Sequence, residues 1–303
     1  MRHLKNYKKG QSAWCYLLIA PMLIGFCVFT IYPICWALRY SFYDYNGIDA
    51  SFIGLDNFVR LFTRDPGYWE ALLNTFILTF GKLLIELPLA LMLAILLNNS
   101  LKGNGIFRTI FFMPNIISTA IMGLIFFFIF DTANGFVNNV LLEWRLIAAP
   151  INWFGEKWTA MAVIAIVSIW QGFGINMLFF LSGIQGIPKD LYECASLDGA
   201  NKRQSFVHIT LPMLAPVMQV ILMLAMIGTM QTSDLVLVLT NGQPAGKTEV
   251  IMTYIFKYFF NYGGGSSIPQ YGYATAGSIV LAAILGLFTA AYLKITKKST
   301  QIY

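Results

Sequence analysis

Long apolar stretches almost free of charge constrain this chain more than any other feature of its 303 residues. A bilayer core takes about 20 apolar residues per helical span. Six runs reach that length: Ala13 to Phe42, Trp69 to Leu97, Ile106 to Phe130, Trp158 to Leu181, Val207 to Thr240 and Tyr273 to Ile295. Backbone amides and carbonyls in lipid have no water to bond, so each run is expected to satisfy them within itself as a helix. Composition agrees, with 57% hydrophobic and 11% charged residues and a mean hydropathy of +0.66, against about a quarter charged in soluble domains. The expected fold is an all-α membrane protein of six transmembrane helices. Pro21, Pro33, Pro88, Pro114, Pro212 and Pro216 lie in or near the runs and are expected to mark kinks. The first run follows a basic stretch, as a signal peptide does, but it is too long and lacks a small-residue cleavage site, so it reads as a retained helix.

Lysine and arginine in the connecting segments set the orientation. Twelve, among them Lys8, Lys9, Lys102, Arg108, Lys189, Lys202, Arg203 and Lys294, fall on the side that holds the N-terminus. Seven, including Arg39, Arg60, Arg64, Arg145 and Lys247, fall on the other, and Lys82 lies inside a span. Both termini are therefore expected in the cytoplasm of a multi-pass protein of the plasma or inner membrane. The formal charge of +6 is accounted for by this asymmetry and implies no nucleic-acid partner.

Catalytic equipment is sparse. Cys15, Cys27, Cys35 and Cys194 show no metal-ligand spacing, and His3 and His208 are the only histidines, so neither a zinc site nor a histidine-based centre is expected. No GxxxxGK[ST] phosphate loop occurs, so the chain is not expected to hydrolyse ATP or to be an enzyme.

The most informative stretch lies between the fourth and fifth runs, on the positive side. Pro188 suits the first turn of a short helix, Asp190 and Glu193 lie near its positive end, and Gly199 can close it in the left-handed conformation. Leu191, Cys194 and Ala195 share one face. A helix, a sharp turn and a second helix make a knob suited to a partner's groove.

The spacing within this stretch is specific. Bacterial ABC importer permeases carry a cytoplasmic signature of EAA, three residues, G, nine residues, I, one residue, LP. Glu193, Cys194 and Ala195, then Gly199, then Ile209, Leu211 and Pro212 keep every spacing, and Cys194 alone departs from the pattern. The chain is similar to the carbohydrate type of these permeases, resembling the larger maltose-permease subunit also in its first helix, in GLDNF at Gly54 to Phe58, in the third run with its GFVN exit, and in DLVLVLTNGQP from Asp234 to Pro244. That resemblance implies an importer-type core behind an extra N-terminal helix. The implied layout is a cytoplasmic tail at 1–12, a first transmembrane helix at 13–42, an external loop at 43–68, a permease core at 69–295 with a coupling loop at about 186–206, and a tail at 296–303. It also implies a second, non-identical permease subunit, two ATPase subunits and an extracytoplasmic solute-binding protein. In that arrangement Glu193 pairs with a basic group of the ATPase. ATP and magnesium sit at the ATPase partner, with no cofactor bound by this chain.

Polar side chains within spans usually face a bundle interior or a pathway. Asn115, Gln171, Asn176, Gln219, Gln231 and Asp234 are the candidates, with Trp170, Phe173 and Tyr254 as rings that could lie against the apolar face of a sugar. Interhelical hydrogen bonding explains any single polar member equally well. Lys82 and Glu86, four residues apart, share a helix face and read first as a neutralising pair at a subunit interface, and second as a proton relay. A self-sufficient secondary transporter or channel is the alternative function, and a membrane scaffold or receptor a third. The first has no need for the helix-turn-helix knob, and the last leaves the intramembrane polar residues unexplained.

Overall fold

The computed structural model describes residues 15–98, 103–260 and 268–300. The expected tail at 1–12 lies outside the described residues. Two compact units are present, Met1–Asp65 with Ile255–Ala283, and Pro66–Tyr254 with Ile284–Tyr303.

Helix α1, Cys15–Tyr40, opens the first unit. It widens to a π turn over Cys27–Ile31. The Tyr32 amide bonds the Cys27 carbonyl five residues back, just before Pro33. Proline has no N–H and its ring strikes the carbonyl four residues earlier; one wider turn relieves that conflict without ending the helix. A two-stranded hairpin follows, β1 Tyr43–Tyr45 antiparallel to β2 Ala50–Phe52. Its turn contains Asn46, whose Oδ1 accepts from the Ile48 and Asp49 amides at 2.9 and 2.7 Å, and Gly47 at φ +100°. The side-chain amide of Asn57, near the start of α2 (Asp56–Thr63), is buried and donates to the Ser41 and Tyr43 carbonyls at 2.9 Å each. That amide pins the hairpin to the helix.

The second unit is a bundle. Helices α3 (Pro66–Asn98) and α7 (Lys157–Gln185) run against each other as its long axis. Thr75 and Thr79 return their hydroxyls to the carbonyls of Ala71 and Thr75 at 2.8 and 2.7 Å, so neither is a stray polar group. Three apolar clusters lie in the bundle: one around Met122, Val163, Ile164 and Leu235, the second around Ala94, Met177, Leu181 and Leu214, and a third around Leu83, Met226 and Met230. The second contains the small residues Ala90 and Ala94, which let α3 lie close to its neighbours.

Two expected spans are not continuous helices. The third run divides into α4 (Asn104–Ile116) and α5 (Thr119–Ile129), bent by 94°. Ile117 and Ser118 adopt extended backbone with ψ of 135° and 133°, just after Pro114, which lies inside α4. The fifth run also ends early. After α8 (Lys189–Leu197), α9 runs Lys202–Met230, breaks at Gln231, Thr232 and Ser233, and resumes as the short α10, Asp234–Leu239. Hydropathy reports composition and is blind to these breaks. Among the described residues, five helices are long and apolar enough to cross a bilayer, or six if the bent pair is one span. Helices α6 (Phe136–Glu143) and α11 (Ile251–Phe260) are shorter than a span and fall outside the six apolar runs. The last helix, α12, covers Tyr271–Thr300. Pro188 precedes its helix as the N-cap and does not sit in the first turn.

Single amides hold the connecting segments. The Asn138 amide donates to the Asp131, Thr132 and Ile151 carbonyls, while its oxygen accepts from the Ile151 amide and the Trp153 indole. Asn74 on α3 donates to the Lys247 and Glu249 carbonyls at 2.9 Å each.

Helices α4 and α7 cross at Gly174, where an added Cβ would overlap the Phe111 carbonyl. Gly174→Ala is therefore expected to cost about 1–3 kcal/mol through overpacking. This should appear as a lower thermal midpoint in detergent, whereas Gly228→Ala, whose added carbon meets nothing within 4 Å, should not lower the midpoint, alanine being the better helix former.

Candidate translocation cavity and coupling elbow

The two helix breaks converge. A cavity of about 260 Å³ opens where α4 gives way to α5 and where α9 gives way to α10. The first break contributes Asn115 and Thr119, the second Gln231, Thr232, Ser233 and Asp234. Helix α7 supplies Ser168, Gln171 and Gly172, and α3 supplies Lys82. Irregular backbone at membrane depth is tolerated where it is buried in protein or lines a wet cavity, and the polar lining here is of that kind. Gln171 Nε2 donates to Thr119 Oγ1 at 3.1 Å, tying α7 to the first residue of α5. At the other break, Thr232 Oγ1 bonds the Gly228 carbonyl at 3.2 Å and Ser233 Oγ donates to Asp234 Oδ1 at 3.0 Å.

Four residues singled out from the sequence, Asn115, Gln171, Gln231 and Asp234, thus share one cavity wall. The others lie elsewhere. Phe173 is buried with its ring edge-on to Phe111, and Trp170 packs on Phe126 at 5.3 Å. Tyr254 meets Tyr68 at 6.2 Å, and the Gln219 backbone carbonyl accepts from the Tyr292 hydroxyl at 2.9 Å. Asn176 is buried against Glu86, donating from Nδ2 to Oε1 at 2.7 Å.

Glu86 and Lys82 form an ion pair, 3.4 Å from Nζ to Oε2. The two charges neutralise each other, as expected from their spacing, and Lys82 also faces the cavity. Both residues are buried inside the unit, because the α3 face that carries them packs on α7. A Cβ at Gly172 would come within 2.5 Å of Glu86 Oε1. Glycine at that position is therefore what lets the carboxylate lie against α7. Taking two charges out of water is costly unless each gains hydrogen bonds, and the Asn176 amide supplies one. Neither Gly172 nor the Asn176 contact could be foreseen, since both depend on the register between two distant helices.

The elbow is built separately. Helix α8 ends in a Schellman motif: the Ala200 amide bonds the Ala195 carbonyl at 2.9 Å, the Gly199 amide bonds the Ser196 carbonyl at 3.1 Å, and Gly199 has φ +82°. An L-residue strains in that conformation. Asn201 and Gln204 then form a capping box, with bonds of 3.0 and 2.8 Å, that starts α9. A second π turn, Phe206–Thr210, precedes Pro212, repeating the device seen before Pro33. Glu193, Cys194 and Gly199 are exposed, and Ala195, Ile209, Leu211 and Pro212 are partly buried. Leu197 is 88% exposed. Tyr192 braces the elbow, its hydroxyl 2.9 Å from Thr210 Oγ1.

Asn176→Leu and Gly172→Ala disturb the same carboxylate by different routes. Each is expected to cost about 1–3 kcal/mol, the usual penalty for a buried polar group left short of a partner. The double variant should cost less than the sum, because the groups share one partner. Equilibrium unfolding of the four members of the cycle checks this.

The comparisons with known proteins agree in kind. Over 293 residues the chain is 37% identical to the probable ABC transporter permease protein YesP of Bacillus subtilis, covering 95% of this chain and 92% of that one. Over 290 residues it is 35% identical to the arabinooligosaccharides transport system permease protein AraP of the same organism, covering 95% and 90%. Its fold matches a chain in the crystal structure of a bacterial alginate ABC transporter in complex with an alginate pentasaccharide-bound periplasmic protein, with a TM-score of 0.80 and 26% identity over 98% of this chain and 99% of that one. Residues 86–300 match the family described as binding-protein-dependent transport system inner membrane component. This multi-pass membrane protein belongs to that family of permeases.

Proposed function

We propose that the chain is a sugar permease subunit of an ATP-driven importer, and that it lines the translocation pathway with the polar cavity between its two helix breaks. The observation that carries this reading is the course of α9. One helix, interrupted only by a π turn, runs from the exposed elbow to the cavity at Gln231. Its 29 residues span roughly 43 Å at 1.5 Å per residue. Displacement of the elbow therefore reaches the cavity wall through a single helical rod. Glu193, Cys194, Ala195 and Gly199 form the contact with a separate ATPase, which holds ATP and magnesium. Ile209, Leu211 and Pro212 join that contact to the rod. Closure of two ATPases drags the elbows together and turns the pathway from one side of the membrane to the other, in the manner of rigid-body alternating access. The elbow and both termini face the cytoplasm, a placement supported by the excess of basic residues on that side.

A saccharide substrate is supported by the hydroxyl and amide lining, which matches the donors and acceptors of a sugar. The relatives' names point the same way. A second permease subunit closes the other half of the pathway, and a solute-binding protein delivers the substrate from outside.

Glu193→Lys reverses the charge at the exposed tip of the elbow. Co-purification of the ATPase after solubilisation should fall by about tenfold or more, as when one member of a buried interfacial charge pair is lost, and ATP-dependent uptake should fall with it. Gly199→Val should have the same effect by straining the turn. Full uptake by both variants would contradict the coupling role.

A further inference from the structure

The sequence motif leaves Lys82 and Glu86 without a task, and their geometry suggests one. Lys82 lines the cavity, while Glu86 lies behind it on the next turn of α3. Their side chains are 11% and 1% exposed. An ammonium carries three donors, and the contact with Glu86 is long and incomplete: Oε2 lies 3.4 Å away and gains no hydrogen bond. Lys82 therefore keeps donors for whatever occupies the cavity. Glu86 cannot turn away, because Asn176 holds Oε1 at 2.7 Å and Gly172 leaves room for it at one place on α7. The other charged group of the wall is Asp234. The formal charges of Lys82, Glu86 and Asp234 sum to one negative.

We propose that Lys82, held and neutralised by Glu86, is a specificity-determining residue that donates to a hydroxyl of the passing solute while the balance of charge excludes anions, so that the cavity admits uncharged saccharides and rejects uronates. This rests on the reading of the cavity as the pathway. It adds a selection step within the membrane, after any selection made outside it. A free lysine in this place would attract carboxylates; Glu86 cancels that attraction and leaves the hydrogen-bonding capacity. Buried charges are felt strongly because the surroundings screen them poorly.

The test reads the charge of the cavity directly and needs neither ATP hydrolysis nor a binding protein, so its failure is separate from failure of the coupling role. In the purified importer complex, Thr232→Cys places a thiol on the cavity wall. Its modification rates with a cationic trimethylammonium-ethyl and an anionic sulfonatoethyl methanethiosulfonate are measured by mass spectrometry of the peptide that carries it. Relative to the same pair of rates on free cysteine, the cationic reagent should be favoured. Glu86→Gln should lower the cationic-to-anionic ratio about tenfold, and Lys82→Met should raise it by a similar factor. The double variant Lys82→Met/Glu86→Gln removes both charges together, so it avoids a lone buried ion and should return the ratio to its starting value. An unchanged ratio in Glu86→Gln, or preference for the anionic reagent with the native pair, would overturn the proposal.

Discussion

Every backbone amide and carbonyl at membrane depth must find a partner, and the rest of this structure follows from how that demand is met. Continuous helices meet it without help. Proline, which removes a donor, is absorbed in two places by a π turn directly upstream, at Cys27–Ile31 before Pro33 and at Phe206–Thr210 before Pro212. Where the helix does stop, at Ile117–Ser118 and at Gln231–Ser233, the broken ends meet around one polar cavity. The site is in this sense a consequence of the breaks. Two interruptions that would be costly against lipid face each other across a polar cavity.

The second demand is on charge. Lys82 and Glu86 are tolerated inside the bundle because they are paired and because α7 presents Asn176 and Gly172 at the right height. The elbow needs no such compensation. Its charged and apolar groups are exposed together, and its shape is fixed by local hydrogen bonds at Gly199 and Asn201. A preformed turn of this kind would lose little conformational freedom in the docking proposed above. The rod of α9 then connects the locally determined elbow to the cavity, whose shape depends on tertiary packing.

Much of this was legible in the sequence. The long helices were visible as apolar runs, and the helix, turn and helix of the elbow could be drawn from Gly199, which acts over a few neighbours, whereas the cap at Asn201 was not singled out. Asn115, Gln171, Gln231 and Asp234 could be named as polar residues in spans, but their meeting on one wall could not. That depends on the 94° bend between α4 and α5, and a hydropathy average cannot see a change of dihedral angle. Asn176 shows the complementary failure: an intramembrane amide looks alike whether it faces a pathway or satisfies a carboxylate on the neighbouring helix. Asn57, Asn74 and Asn138 carry no such mark, since a helix amide that bonds a connecting segment resembles any other polar residue until its partners are placed.

If the two breaks face a common aqueous cavity, their amides must exchange with solvent while the helices on either side do not. Hydrogen–deuterium exchange by mass spectrometry on the importer in lipid nanodiscs measures this directly. The account predicts fast exchange at Ile117–Ser118 and at Gln231–Ser233, flanked by strong protection through α7 and through α9 above Pro216. Uniform protection across both breaks, as continuous lipid-facing helices would give, would contradict it.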